Sequence, residues 1–249
     1  MGTGTSQGVP LIGCDCDICR SNDVRDERLR SSILISYENR NILIDAGPDF
    51  RQQMLREQVT NLDAILLTHE HKDHIGGLDD VRAFNYIQNK PMDIFAEKRV
   101  NDLLQSRDFA YVVERKDYPG IPKMIFHDIE NKPFKINSVE VQPIRGLHDK
   151  LPVFGFRIKN IAYITDMNYI SEEEIKKLYN LEVLIITALR IKKHISHFNL
   201  EESLEIIKKL KPKKAYLTHI SHKLGFYTDL IKILPENIYP AYDGLKIEI

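Results

Sequence analysis

Thr68-His69-Glu70-His71-Lys72-Asp73-His74 follows the apolar run Ala64-Ile65-Leu66-Leu67 and precedes Gly76-Gly77. Four side chains able to ligate a metal, His69, His71, Asp73 and His74, fall within six consecutive positions. A buried strand that ends in a tight loop is where such side chains can converge. His69 and His71 alternate and project together, while Asp73 and His74 turn toward a neighbouring point. Two metals are the economical explanation, because imidazoles at this density are costly unless satisfied.

Outward from this loop, the runs 33–37 and 41–45, joined by 38–40, read as a β-hairpin, and 64–67 reads as a buried strand. Strands at 139–144, 153–158 and 161–165 follow. Strands at 182–187 and 214–217 then alternate with amphipathic helices at 171–179 and 200–210, the first opened by a Ser-x-x-Glu capping box, Ser171 with Glu174. A strand meander followed by alternating helices and strands predicts an α/β (α+β) fold. The arrangement expected is a four-layer αββα sandwich of two mixed β-sheets with helices on both outer faces. Residues 90–123 combine a helical stretch at 98–106 with a turn at Asp117-Tyr118-Pro119-Gly120 and read as an insertion over one face.

No linker, repeat or low-complexity segment divides the 249 residues, so one domain spanning 1–249 is expected. Lys and Arg total 35 against 36 Asp and Glu, and a net charge of -1 offers no general attraction to nucleic acid or anionic lipid. No uncharged apolar run approaches the ~20 residues of a membrane span, and residues 1–13 lack the pattern of a secretory signal. A cytoplasmic protein without a membrane partner is the expectation. Cys14, Cys16 and Cys19 are the three cysteines, and they cannot all pair with one another, which excludes a disulfide framework. Close thiols in a reducing compartment more often bind a metal, and a Cys3His zinc site would need one histidine from elsewhere.

The pattern His69-x-His71-x-Asp73-His74 resembles that of the metallo-β-lactamase fold superfamily. The family has a further histidine after a strand, an aspartate at a strand end and a late histidine; Gly146-Leu147-His148, Tyr163-Ile164-Thr165-Asp166 and Leu217-Thr218-His219 stand in that order. By that match His69, His71 and His148 would hold one divalent metal, Asp73, His74 and His219 a second, and Asp166 would bridge them. Nearly the whole chain further resembles the PhnP-type phosphoribosyl cyclic phosphodiesterases. The strings that carry this are Gly2-Thr3-Gly4-Thr5-Ser6-Gln7-Gly8, the cysteine cluster, Asp45-Ala46-Gly47, Leu217-Thr218-His219-Ile220-Ser221-His222 and Tyr242-Asp243-Gly244-Leu245-Lys246-Ile247.

In that family three cysteines and a histidine just beyond the last active-site histidine form a structural zinc site, which maps onto Cys14, Cys16, Cys19 and His222. His197 matches the family's candidate general acid. His194 and His127 match no motif and are expected to be satisfied surface or core histidines, and Arg82 is a candidate for holding a substrate phosphate. Two features depart from the family. The chain opens at Met1-Gly2, so the short strand that normally leads into the Gly-rich segment is expected to be absent, trimmed or lost to a misplaced start, and 90–123, where substrate choice would differ, does not follow the pattern.

Two divalent cations offset by Asp73, Asp166 and a bridging hydroxide would leave a centre of about +1, which favours an anion. The resemblance implies hydrolysis of a small cyclic phosphodiester, such as 5-phosphoribosyl 1,2-cyclic phosphate, by a metal-bridging hydroxide. Asp73 would belong to the catalytic set, and His197 would protonate the departing oxygen. Manganese or zinc is implied at the pair and zinc at the thiolates, although nitrogen and oxygen ligands also accept iron. The expected partner is a small phosphorylated substrate, with nucleic acid disfavoured and a homodimer allowed for. Rivals on the same motif are a tRNA 3′-processing nuclease, a glyoxalase and a lactamase. A pyrroloquinoline quinone biosynthesis-type protein, which shares the cysteine cluster, is a non-hydrolytic alternative. The nuclease would want a basic groove, which the balanced charge does not supply.

Overall fold

The computed structural model describes residues 1–115 and 118–249. Two units divide the chain, one of Met1 with residues 32–132, the other of residues 2–31 with 133–249.

The first unit opens with the hairpin β1 (Ile33–Tyr37) and β2 (Arg40–Ile44). Glu38 and Asn39 both take positive φ, 50° and 60°, as a two-residue turn between twisted strands requires. Then come α1 (Phe50–Arg56), the fully buried β3 (Ala64–Leu66), α2 (Lys72–Ile75) and α3 (Arg82–Gln88). After β4 (Met92–Glu97) and α4 (Lys98–Leu103) the helix widens into a π turn over Leu104–Asp108, followed by α5 (Ala110–Glu114) and β5 (Met124–Ile129). The sheet runs in chain order, β1 antiparallel to β2 and the other neighbours parallel. Its core joins Leu43, Ile65, Leu67 and Ile94 to Phe50 and Phe84 of the helices.

Residues 90–123 are not all an insertion over a face: the helical stretch expected at 98–106 is there, but a strand precedes it. Met92, Ile94 and Ala96 are buried while Asp93, Phe95 and Glu97 are less so, an alternation that makes β4 an internal strand between β3 and β5. The turn expected from Asp117 begins outside the described residues, and Gly120, at its other end, has φ 91°.

The second unit contains β6 (Phe134–Ile136), β7 (Val139–His148), β8 (Leu151–Ile158), β9 (Ile161–Ile164) and the short β10 (Tyr169–Ile170). It continues through α6 (Glu172–Lys176), β11 (Val183–Thr187), α7 (Leu200–Leu210), β12 (Lys214–Thr218), α8 (Tyr227–Ile233) and β13 (Ile238–Pro240). The sheet order is β10-β7-β8-β9-β11-β12-β13, with β6 also paired to β7. Because β8 is antiparallel to both β7 and β9, those two point the same way, and β11, β12 and β13 are parallel to β9. The carboxyl ends of all five strands therefore share one edge of the sheet. Each unit carries one mixed sheet with helices, as the expected fold class requires.

The helix expected at 171–179 is shorter. Ser171 accepts from the Glu174 N–H at 3.3 Å, but the Glu174 carboxylate is taken by the Arg145 N–H at 2.8 Å and by Lys177, so the box closes on one side only. The complete box lies at α7, where Asn199 and Glu202 bond reciprocally at 2.9 and 3.0 Å. The start of the chain is tied to its end within this unit. Gly4 bridges to Arg30 and Ile220, and Asp243 accepts from the Thr3 N–H and the Leu29 N–H, each at 2.9 Å. Among the described residues no helix is long and apolar enough to cross a membrane.

Gly77 packs where a side chain cannot fit: a Cβ there would lie 2.1 Å from the Gly47 carbonyl oxygen and 2.6 Å from Phe50 Cβ. At Gly146 the obstacle is the Met167 side chain, at 2.2 Å. Overpacking of this kind costs about 1–3 kcal/mol or more. Gly77→Ala should lower the melting temperature by several degrees, at roughly 2–4 °C per kcal/mol for a chain of this size, and by more than Gly146→Ala, where a thioether can swing aside. Thermal denaturation of both variants checks the order.

Candidate metal centre

In the first unit the site is built on two strand ends. Asp45 follows β2 in a left-handed conformation (φ 65°), fully buried, and accepts from the Thr68 N–H at 2.9 Å, the Thr68 hydroxyl at 2.9 Å and His74 Nδ1 at 2.7 Å. Burial pushes the Asp45 carboxyl up, against the pull of His74 and Thr68. With its proton given to Asp45, the Thr68 hydroxyl turns a lone pair to His69 Nδ1 at 3.0 Å. His69 and His74 therefore both donate from Nδ1 and keep a lone pair on Nε2. The rings of His71 and His74 lie 4.5 and 4.3 Å from that of His69. His74 Nε2 faces an Asp73 carboxylate oxygen at 3.1 Å. A nitrogen lone pair opposed to a carboxylate is the arrangement a cation relieves, so these residues fit a metal.

In the second unit the shared strand edge gathers His148 at the end of β7, Asp166 after β9 and His219 after β12, with His197 on the connection from β11 to α7. Asp166 and His219 are both left-handed, each with φ 54°. The Thr165 hydroxyl donates to Asp166 at 2.5 Å, and His219 Nδ1 lies 3.1 Å from the same carboxylate. His148 donates from Nδ1 to the Ser196 carbonyl at 2.7 Å, which again leaves a lone pair on Nε2. His197 has its ring 4.5 Å from that of His148 and 4.8 Å from that of His219, with Nδ1 3.5 Å from Asp166. Its pKa is pushed down to about 3, by burial first, with Asp166 pulling the other way. His148, Asp166 and His197 offer atoms close enough to hold an ion.

The same unit holds the Cys3His group. The sulfurs of Cys14, Cys16 and Cys19 lie 3.3, 3.4 and 3.5 Å from one atom, His222 Nδ1. A single ring nitrogen cannot serve three thiols at once. Tetrahedral zinc, with Zn–S of ~2.3 Å and Zn–N of ~2.0–2.1 Å, would set sulfur and nitrogen about 3.6 Å apart, so the donor set fits that ion. The backbone N–H of Cys19 leads in holding Cys16 down at about 6, and burial raises Cys19 to about 11.

Three further residues have defined surroundings. Arg82 donates to the Gly120 carbonyl at 3.1 Å and lies 3.6 Å from Asp79. His194 has its ring 5.2 Å from that of His197, and its Nδ1 accepts from the Ser196 N–H at 3.3 Å. His127 is satisfied as expected, stacked on Phe95 and 2.7 Å from Asp93. Asp45, Thr68 and Ser196, which orient the imidazoles, were not among the candidate site residues. The signal for two of them was position, Asp45 at a strand end and Thr68 directly before the histidines.

A model of the β-lactamase superfamily domain matches residues 40–220. An octanoyltransferase from Porphyromonas gingivalis is 40% identical over 99% of this chain, which spans 50% of that protein's length. A ribonuclease Z from Nanoarchaeum equitans is 30% identical over 60% of this chain and 45% of its own. The solved structure of a diphosphatase of the PhnP family is 38% identical, with a TM-score of 0.92 over 100% of this chain and 95% of that one.

If Asp45 aims the imidazoles, Asp45→Asn should weaken metal binding about 10- to 100-fold while the protein stays folded, as a competition titration with a chelating dye would read. Cys16→Ser should release the metal of the thiolate group, seen by elemental analysis, and lower the melting temperature.

Proposed function

The chain belongs to the β-lactamase superfamily and, within it, to the PhnP family, and from that premise we propose that it is a metal-dependent hydrolase of a small cyclic phosphodiester. The observation that supports this is the shared orientation of His69, His74 and His148, each engaged at Nδ1 by a neighbouring oxygen, which puts the lone pair of the neutral ring on Nε2. In this proposal the ligands of manganese or zinc are His69, His71, Asp73, His74, His148, Asp166 and His219, as the family resemblance implies. Zinc belongs at Cys14, Cys16, Cys19 and His222. Paired divalent ions, when bound, lower the pKa of water and offset charge that builds on phosphoryl oxygens.

The chain's own residues orient and protonate. Asp45, Thr68 and Ser196 hold the ligating rings so that no reorganisation is needed when the substrate enters. An alkoxide leaves poorly without a proton, and His197 is the residue placed to give one. Since burial keeps its ring neutral near pH 7, that proton must be taken up with an anionic substrate in place. A small phosphorylated substrate and a cytoplasmic location complete the proposal. An organic diphosphate is the second reading, favoured by the 38% identical relative that is a diphosphatase. There the leaving group is itself a phosphate and needs His197 less.

Metal-replete protein should hydrolyse bis(p-nitrophenyl) phosphate, and His69→Ala or Asp166→Ala should abolish that turnover with the circular dichroism unchanged. Either variant at near-wild-type rate would overturn the proposal. His197→Ala should cost about 10²- to 10⁴-fold on a ribose cyclic phosphodiester and much less on the nitrophenyl ester. Turnover of diphosphates with the ribose diester left intact would decide for the second reading.

A further inference from the structure

His194 sits on the connection between β11 and α7, its ring centroid 5.2 Å from that of His197. Ser196 sets its tautomer. The Ser196 backbone N–H donates to His194 Nδ1 at 3.3 Å, with the Ser196 hydroxyl at the same distance, so in the neutral ring the proton resides on Nε2. Burial, Arg190 and His148 all press the ring toward that neutral form.

The carbonyl of the same residue accepts from His148 Nδ1 at 2.7 Å. Ser196 thus aims two rings in opposite senses: His148 presents a lone pair at Nε2, and His194 presents an N–H. A lone pair suits a cation; an N–H suits an oxygen. Among the described residues no protein group takes the His194 Nε2–H, and the ring is only partly buried. The same connection carries Arg190, Lys192 and Lys193, so the donor stands on a basic stretch suited to an anion.

We propose that His194 is a substrate-contacting residue, donating its Nε2–H to a phosphoryl oxygen of an anionic substrate. This deepens the phosphoester-hydrolase reading and rests on it for the identity of the substrate. The contact itself is tested apart from turnover, with inorganic phosphate as probe. Titration of phosphate into the metal-replete full chain should give a dissociation constant that His194→Leu raises about 3- to 10-fold, the weight of one hydrogen bond. His194→Gln, whose side-chain amide can reach the Nε2 position, should restore wild-type binding, and His194→Asn, which is shorter, should not. Elemental analysis should find the metal content of all three unchanged.

Leu and wild-type proteins that bind phosphate equally would overturn the proposal, as would a Gln variant no better than Leu at equal metal content. Wild-type protein that binds no phosphate would overturn it as well, whatever its turnover. If wild type and variants bind phosphate as expected but wild type hydrolyses neither phosphodiester nor diphosphate, the contact stands and the hydrolase reading falls. Should the Leu variant lose metal, comparison of Gln with Asn decides alone.

Discussion

A carboxylate shut off from water lies behind the histidine-rich loop, and the aim of that loop's rings depends on it. Leaving Asp45 charged and unpaired there would cost several kcal/mol. It is instead met by an amide N–H and a hydroxyl from Thr68 and by the His74 ring. Those donors belong to the segment that must be aimed. Satisfying the buried charge and orienting His69 and His74 are therefore one event, and a loop that drifted would uncover the charge. In the second unit a neutral group, the Ser196 carbonyl, orients His148, while His219 faces the Asp166 carboxylate. Left-handed backbone at Asp45, Asp166 and His219 is the local strain this arrangement sustains, held in place by the bonds around it.

Much of this was legible in the chain. Apolar β-branched runs announced β1 and β2, β7 through β9, β11 and β12, because a buried strand must be apolar wherever it sits. β4 escaped notice since Asp93 and Glu97 interrupt it, and its alternation of Met92, Ile94 and Ala96 is short and lies next to a helical stretch. The histidines were visible as a residue type rare enough to need a reason, and Asp166 through the family resemblance alone. The role of Asp45 was not, because its partners lie at Thr68 and His74, far along the chain, and only the folded sheet brings β2 and β3 side by side. The unequal fates of Ser171 and Asn199 have a similar origin. Both open helices with a glutamate at the third position, but a backbone amide of β7 takes Glu174 for itself.

The histidines of the second unit act on one another. His197 lies within 4.5–5.2 Å, ring to ring, of His148, His194 and His219. Charging any one of these rings would raise the cost of charging the next, and burial adds to that cost at His197. The cluster is thus arranged around lone pairs and N–H groups, with formal positive charge left to ions and to the basic residues on the connection before α7. Such a site offers direction more than net charge, in keeping with a chain whose overall balance is near neutral.

Strands β7, β9 and β12, which lead to His148, Asp166 and His219, all run toward one edge of the second sheet, and none of those three residues lies at the other. The turns there, at Asn137, Lys159 and Lys211, all take the left-handed conformation; the Lys159 carbonyl also accepts from Arg157 at 2.8 Å, and Lys211 caps α7. A loop lengthened at that rim would act on the starts of those strands and not on the ends that set His148, Asp166 and His219.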